Sequence, residues 1–232
     1  IFYDMTRIKA GIIGAAGYTA GELIRILLNH PQVELLFAQS TSHAGKPVTS
    51  VHDDLLGETD IRFTASPDLQ NAGVLFLCQG HGKSREFTGM NPLPAGTKVI
   101  DLSADFRIKD DSHSFVYGLP ELNREMIRRA DRVANPGCFA TGIQLAFLPL
   151  ASAGLLVSDL HVQAVTGSTG AGQQPTEKTP RAFNVDPYGR YLFAVRAVDR
   201  ELADRLGSQL PANAPAPWSL PAATPQALPV PA

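Results

Sequence analysis

The stretch Ile8-Lys9-Ala10-Gly11-Ile12-Ile13-Gly14-Ala15-Ala16-Gly17-Tyr18-Thr19-Ala20-Gly21-Glu22-Leu23-Ile24-Arg25-Ile26-Leu27-Leu28 decides how the chain folds. It opens on a short apolar run ending in glycine and closes on Glu22–Leu28, where apolar residues recur at helical spacing. Strand, glycine turn and helix follow in that order. Pro31 stops the helix after Asn29-His30, and Val33-Glu34-Leu35-Leu36-Phe37-Ala38 reads as a second strand, so the unit is βαβ. Further apolar runs at Val74-Leu75-Phe76-Leu77-Cys78 and Lys98-Val99-Ile100-Asp101-Leu102 are too short for helices and read as buried parallel strands. The fold class is therefore α/β, a doubly wound parallel sheet, with ligands expected at the carboxyl ends of its strands.

Gly11, Gly14 and Gly17 are spaced G-x-x-G-x-x-G between strand and helix. Backbone without Cβ atoms lets a pyrophosphate approach, and the free N–H groups of the following helix face it. A tight packing turn would use the same glycines; the βαβ setting favours a dinucleotide. An NAD enzyme carries an acidic residue for the ribose 2′-OH at the end of the second strand. Here Ser40-Thr41-Ser42 stand instead, with His43 and Lys46 close by in sequence. Small hydroxyl donors suit a 2′-phosphate, so NADP(H) is expected rather than NAD, the alternative being an ordinary polar loop.

A chain of 232 residues holds one large domain or two modest ones. Lys+Arg 20 against Asp+Glu 22 leaves a formal net charge of −2, without the basic footprint that nucleic acid requires. Uninterrupted apolar runs stay well below the ~20 residues needed to span a bilayer, so no membrane partner is expected. The two cysteines have neither a disulfide framework nor metal-ligand spacing, which fits a reducing cytoplasm and predicts no metal site. Residues 1–6 read as a leader or tag remnant rather than a signal peptide.

Asn135-Pro136-Gly137-Cys138-Phe139-Ala140-Thr141 places a cysteine at the start of a helix, where the dipole and free N–H groups favour a thiolate and form a ready oxyanion site. Cys138 is thus the candidate nucleophile. Cys78, in mid-strand, reads as a structural thiol. Ala140–Ala153 is a helical apolar stretch and Leu160–Val165 alternates like a strand of a second domain, which sets a boundary near residue 140. The expected organisation is a nucleotide-binding domain over 7–140, a partial second domain over 141–210 and a tail over 211–232. That tail holds seven of the 18 prolines and no charged residue, so it reads as extended or disordered.

Gly14-Ala15-Ala16-Gly17-Tyr18-Thr19-Ala20-Gly21-Glu22-Leu23, Ser103-Ala104-Asp105-Phe106-Arg107, Tyr117-Gly118-Leu119-Pro120-Glu121 and Asn135-Pro136-Gly137-Cys138 together resemble N-acetyl-gamma-glutamyl-phosphate reductase over roughly residues 7 to 190. The resemblance implies a cytoplasmic, NADPH-dependent, homo-oligomeric enzyme of arginine biosynthesis. Its fold would be a Rossmann-like domain followed by an α+β substrate and dimerisation domain. Cofactor-binding positions are then expected at Gly14, Ala16, Gly17, Tyr18, Thr19, Ala20, Ser40, Ser42 and Gly170, the last in the glycine-rich stretch Thr166–Gly172 near the nicotinamide. Asn135 and Arg107 are the substrate-binding candidates. A guanidinium fork at Arg107 suits a phosphate or carboxylate, and pairing with Asp105 or a helix end is the alternative.

The chain departs from the family downstream. The family's acid/base histidine precedes Pro-Glu-Ile, yet no histidine follows His161, which reads as structural, and the match fades after Asn184–Gly189. His81 and His113 fall in loops with no motif. The expectation is a frameshifted or truncated relative, its residues after about 190 foreign and its second domain incomplete. Two other readings remain: an aspartate-semialdehyde dehydrogenase-like enzyme, and a nucleotide-binding protein without catalysis.

Overall fold

The computed structural model describes residues 7–155 together with Val162 and Gly170. Strand β1 (Ile8–Ile13) leads through the glycine turn into helix α1 (Tyr18–Leu28), followed by β2 (Val33–Gln39) and the short β3 (Phe63–Thr64). Then come β4 (Val74–Leu77), α2 (Lys83–Met90), β5 (Lys98–Asp101), β6 (Val116–Tyr117), α3 (Pro120–Arg129) and β7 (Arg132–Ala134). Helix α4 (Cys138–Ser152) closes the described run. The strands form one seven-stranded sheet in the order β3-β2-β1-β4-β5-β7-β6, every pair parallel. Strand order reverses between β1 and β4, and sheets of this kind bind ligands outside the carboxyl ends of the strands at such a switch point.

Alternation along β1 assigns its side chains to the two faces of the sheet. Ala10 and Ile12 join Ala20, Ile24 and Leu27 of α1 in one buried cluster, together with Ala38, Val48, Leu55 and Phe63. Ile13 turns to the other face with Phe37, Leu75, Leu77 and Val99, where Phe87 of α2 packs. Each such fully buried aliphatic side chain contributes about 1.5–3 kcal/mol, so the apolar runs of β1, β4 and β5 anchor the sheet. Helix α1 meets the sheet along Ala20, Gly21, Ile24 and Leu27 and leaves its Glu22–Arg25 ion pair outside.

The βαβ unit and the strands at 74 and 98 stand as expected, with shifted ends. Helix α1 starts at Tyr18, four residues before its apolar spacing begins. Strand β4 stops at Leu77, so Cys78 lies just beyond the strand and not in its middle. Strands β3, β6 and β7, of two or three residues each, are too short for a hydrophobic period. They are held by backbone pairing to neighbours already in place. The polar α3 starts at Pro120, whose fixed φ and missing N–H suit a first helical turn.

The chain divides into two compact units between Pro136 and Gly137. Among the described residues, α4 belongs to the second, and Ile143, Gln144, Leu148 and Ala151 are its buried side. The strand expected at 160–165, the tail from 211, His161 and the stretch 166–172 lie outside the described residues, apart from Val162 and an exposed Gly170.

Candidate active site

The turn after β1 uses its glycines for different reasons. Gly11 belongs to the strand, and a Cβ there would sit inside the Phe37 ring, so this glycine serves packing. Gly14 has φ +79°, and a Cβ would lie 2.9 Å from the Gln79 nitrogen and 3.0 Å from the Cys78 carbonyl carbon at the exit of β4. Gly17 is the N-cap of α1 at φ −82°, ψ 160°, with no side chain capping the helix. A Cβ on Gly17 would meet nothing nearer than the Gly14 oxygen at 4.0 Å. The first intrahelical bond runs from Gly21 N to Gly17 O, at 3.0 Å. The N–H groups of Tyr18, Thr19 and Ala20 therefore head the helix without an intrahelical acceptor.

This geometry fits a dinucleotide: an uncapped helix start lies beside open space that a larger side chain at Gly17 would fill. Tyr18 and Thr19 are exposed there, and Ala16 is half-buried. Ala20 is wholly buried in the core, so only its backbone can face a ligand.

Side chains the sequence reading passed over brace the turn. The Gln39 carboxamide oxygen accepts from Gly14 N at 3.1 Å, while its own carbonyl accepts from Ala15 N at 2.7 Å. His52, buried, lies with Nε2 2.8 Å from the Ala15 carbonyl. A carbonyl only accepts, so Nε2 carries the hydrogen. Neither residue sits in a motif; the signal available was Gly21, a glycine inside a helix at the point where the ring comes close.

Beyond β2, Ser40 is buried and its hydroxyl lies 3.4 Å from that of the exposed Ser42, which is 2.9 Å from His43 Nδ1. The His43 ring leans on Phe63 at 5.8 Å between centroids. Two hydroxyls and an imidazole thus gather just beyond the end of β2.

The stretch 103–107 is a brace as well. Buried Asp101 accepts from Ser103 Oγ at 2.8 Å, and Asp105 caps α2 by accepting from Gly82 N at 2.5 Å and Arg85 N at 3.0 Å. Burial opposes the Asp105 charge, but the N–H groups of Gly82, Arg85 and Ser84 outweigh it and hold the carboxyl below its usual range. The Arg85 guanidinium lies 5.1 Å over the Phe106 ring and donates to the Asp105 carbonyl. Arg107 donates from Nε to the Asn135 carbonyl at 2.9 Å and from Nη2 to the Leu102 carbonyl at 3.0 Å. Both substrate candidates of the first unit therefore meet, with Asn135 held through its backbone. Loop histidines are engaged too: His81 Nδ1 accepts from Ala104 N, and His113 Nε2 lies 3.0 Å from the Ile108 carbonyl.

In the second unit Cys138 is the first residue of α4 and is exposed. Gly137 is the N-cap, and no side chain caps this helix either. Thr141 returns to the Gly137 carbonyl through both its N–H and its hydroxyl. Cys78 differs: burial first, then Asp101, push its thiol up to about 12.

The semialdehyde dehydrogenase NAD-binding domain matches residues 9–130, and the semialdehyde dehydrogenase dimerisation domain matches residues 138–193. The chain belongs to the semialdehyde dehydrogenase family. Relatives named N-acetyl-gamma-glutamyl-phosphate reductase include one from Christiangramia forsetii, 55% identical over 184 residues, covering 79% of this chain and 57% of its own. A second, from Bacteroides thetaiotaomicron, is 58% identical over 72% of this chain and 52% of its own. A third, from Flavobacterium johnsoniae, is 53% identical over 88% and 62%. The chain thus spans between half and five-eighths of the length of these curated relatives. The fold also resembles aspartate semialdehyde dehydrogenase II of Vibrio cholerae, at TM-score 0.59 and 22% identity, over 72% of this chain and 49% of that one. The Candida albicans enzyme solved with NADP gives TM-score 0.52 at 18% identity, over 66% and 49%.

Among the described residues, no helix is long and apolar enough to cross a membrane, and no group of three or more His, Cys, Asp or Glu is placed to hold a metal ion.

Proposed function

We propose that this chain carries the cofactor site and nucleophile of an NADPH-dependent N-acetyl-gamma-glutamyl-phosphate reductase. The observation that carries the reading is Cys138, exposed at the uncapped start of α4, in a family member more than half identical to reductases of that name. The Cys138 thiolate attacks the acyl carbon; a C–S bond forms, the C–O bond to phosphate breaks, and phosphate leaves. NADPH, when bound, supplies the hydride that goes to the thioacyl carbon. Departure of the thiolate then releases the semialdehyde. N–H groups at the start of α4 are the natural donors to the oxygen that becomes negative in each step.

Ala16, Gly17, Tyr18, Thr19 and Ala20 hold the pyrophosphate through backbone N–H groups, Gly14, its own N–H taken by Gln39, shapes the turn beneath it, and Ser40 and Ser42 hold the 2′-phosphate. That hydroxyl pair, without a carboxylate on β2's last residue, favours NADP(H) over NAD. Gly170 borders the nicotinamide. Arg107 and Asn135 face the substrate, Arg107 also tying the Asn135 backbone in place. A homo-oligomer built on the dimerisation domain and a cytoplasmic setting complete the reading.

The test is intact-protein mass spectrometry after mixing the chain with N-acetyl-gamma-glutamyl phosphate or, separately, aspartyl phosphate. The first should add an N-acetylglutamyl mass that maps to Cys138 and is absent from Cys138→Ser. Labelling by aspartyl phosphate alone would move the assignment to aspartate-semialdehyde chemistry, and labelling by neither would remove the nucleophile.

A further inference from the structure

We propose that His52 is a positioning residue for the cofactor, setting the direction of the phosphate-facing peptides in the turn after β1; this rests on the dinucleotide reading of that turn. His52 precedes a short 3-10 turn at Asp53–Leu55 and lies 37 residues from its hydrogen-bond partner, so local sequence does not bring the two together. It reaches the turn under α1, beside Phe63, at 6.2 Å between ring centroids.

The peptide between Ala15 and Ala16 is planar and trans, so its C=O and N–H point in opposite directions. His52 Nε2 pulls the Ala15 carbonyl inward onto a buried donor. The Ala16 N–H therefore turns away from His52 and the packed side of the turn. On the preceding peptides, Gln39 accepts from both Gly14 N and Ala15 N. Gln39 thus fixes where the turn begins and His52 fixes how it leaves, one peptide before Gly17 opens α1.

Gly21 supports the same reading. A Cβ at that position would lie 2.5 Å from His52 Nδ1 and 2.9 Å from Cε1, so the ring occupies space that any other residue at position 21 would claim. Glycine inside a helix is the least favoured choice after proline. Its presence here leaves room for the imidazole against the helix, in line with the Ala15 carbonyl.

The experiment compares the chain with its His52→Leu, His52→Gln and His52→Asn variants by isothermal titration against NADP+ and against 2′-AMP, which lacks the pyrophosphate. Val48→Ala, a buried change in the same cluster, controls for general loosening. His52→Leu should weaken NADP+ about tenfold, the order expected for one buried hydrogen bond, and leave 2′-AMP within about twofold. His52→Gln, whose amide N–H reaches about as far as Nε2, should recover most of the affinity, and the shorter His52→Asn should not. Folded His52→Leu binding NADP+ as tightly as wild type would overturn the proposal, as would parallel losses for both ligands. If His52→Leu fails to fold, equal affinities of the Gln and Asn variants would overturn it. A wild-type chain that binds 2′-AMP and NADP+ equally, or binds neither, would remove the dinucleotide reading itself and His52's role with it.

Discussion

Gly14 and Gly17 look alike in the sequence, and exchanging each for alanine separates their roles. At Gly14, φ is +79°, a region that costs an ordinary L-residue about 1–2 kcal/mol. The added Cβ would also press on backbone, 2.9 Å from Gln79 N and 3.0 Å from the Cys78 carbonyl carbon. That backbone is held by the 2.8 Å bond from Cys78 N to Ile13 O, so relief costs sheet pairing, about 1–3 kcal/mol by analogy with overpacked cores. Gly14→Ala should therefore lose about 2–5 kcal/mol and lower Tm by roughly 4–20 °C, at ~2–4 °C per kcal/mol for a domain of this size.

At Gly17 the backbone is extended, and the Cβ finds only the Gly14 oxygen at 4.0 Å. Reduced freedom of the unfolded chain stabilises alanine by about 0.4–1 kcal/mol, and the poorer N-cap costs about as much. Gly17→Ala should keep Tm within about 3 °C of wild type. Its methyl nevertheless enters the space before α1, and NADP+ affinity should fall about tenfold or more. Circular dichroism melts and titration calorimetry on the two variants check both halves. A Gly17→Ala protein that binds normally, or a Gly14→Ala protein as stable as wild type, would refute the division of labour.

NADPH should bind more tightly than NADH, because Ser40, Ser42 and His43 gather where a carboxylate would repel the 2′-phosphate; equal affinities in a fluorescence titration would contradict this. Iodoacetamide near neutral pH should label Cys138 well before Cys78, whose thiol is pushed up to about 12 by burial and then Asp101; peptide mapping in the opposite order would count against the nucleophile. Asp105→Asn should destabilise the chain by about 1–2 kcal/mol near pH 7 through loss of the α2 cap. Because the folded carboxyl lies below its usual range, the wild-type advantage is full above the unfolded value of about 3.9 and is lost as pH falls through the folded one. Urea titrations at successively lower pH should show the gap narrowing, and a constant gap would reject the cap as its source.

What the sequence could reveal follows from the range of the interactions involved. The β1–α1–β2 unit was legible because two short apolar runs flank a glycine turn and a segment whose apolar residues recur at helical spacing. The place of Cys138 at a helix start was legible because Asn-Pro-Gly before an apolar run marks such a start locally. Strands β3, β6 and β7 were not, since two or three residues carry no period and their pairing partners lie far along the chain. The braces of the turn are non-local for the same reason: Gln39 is 25 residues from Gly14 and His52 is 37 from Ala15.

Arg107, proposed to face the substrate, has a structural task in the observed fold. Two of its donors go to the carbonyls of Leu102 and Asn135. Those carbonyls follow β5 and β7, the neighbouring strands whose carboxyl ends lead to Asp105 and to Asn135. A lysine at this position keeps the charge but offers no fork to span both. Arg107→Lys therefore separates the roles: if the fork holds the Asn135 segment, stability falls with the lost bonds even in the absence of substrate, whereas a pure charge contact to substrate would leave the melting temperature where it is.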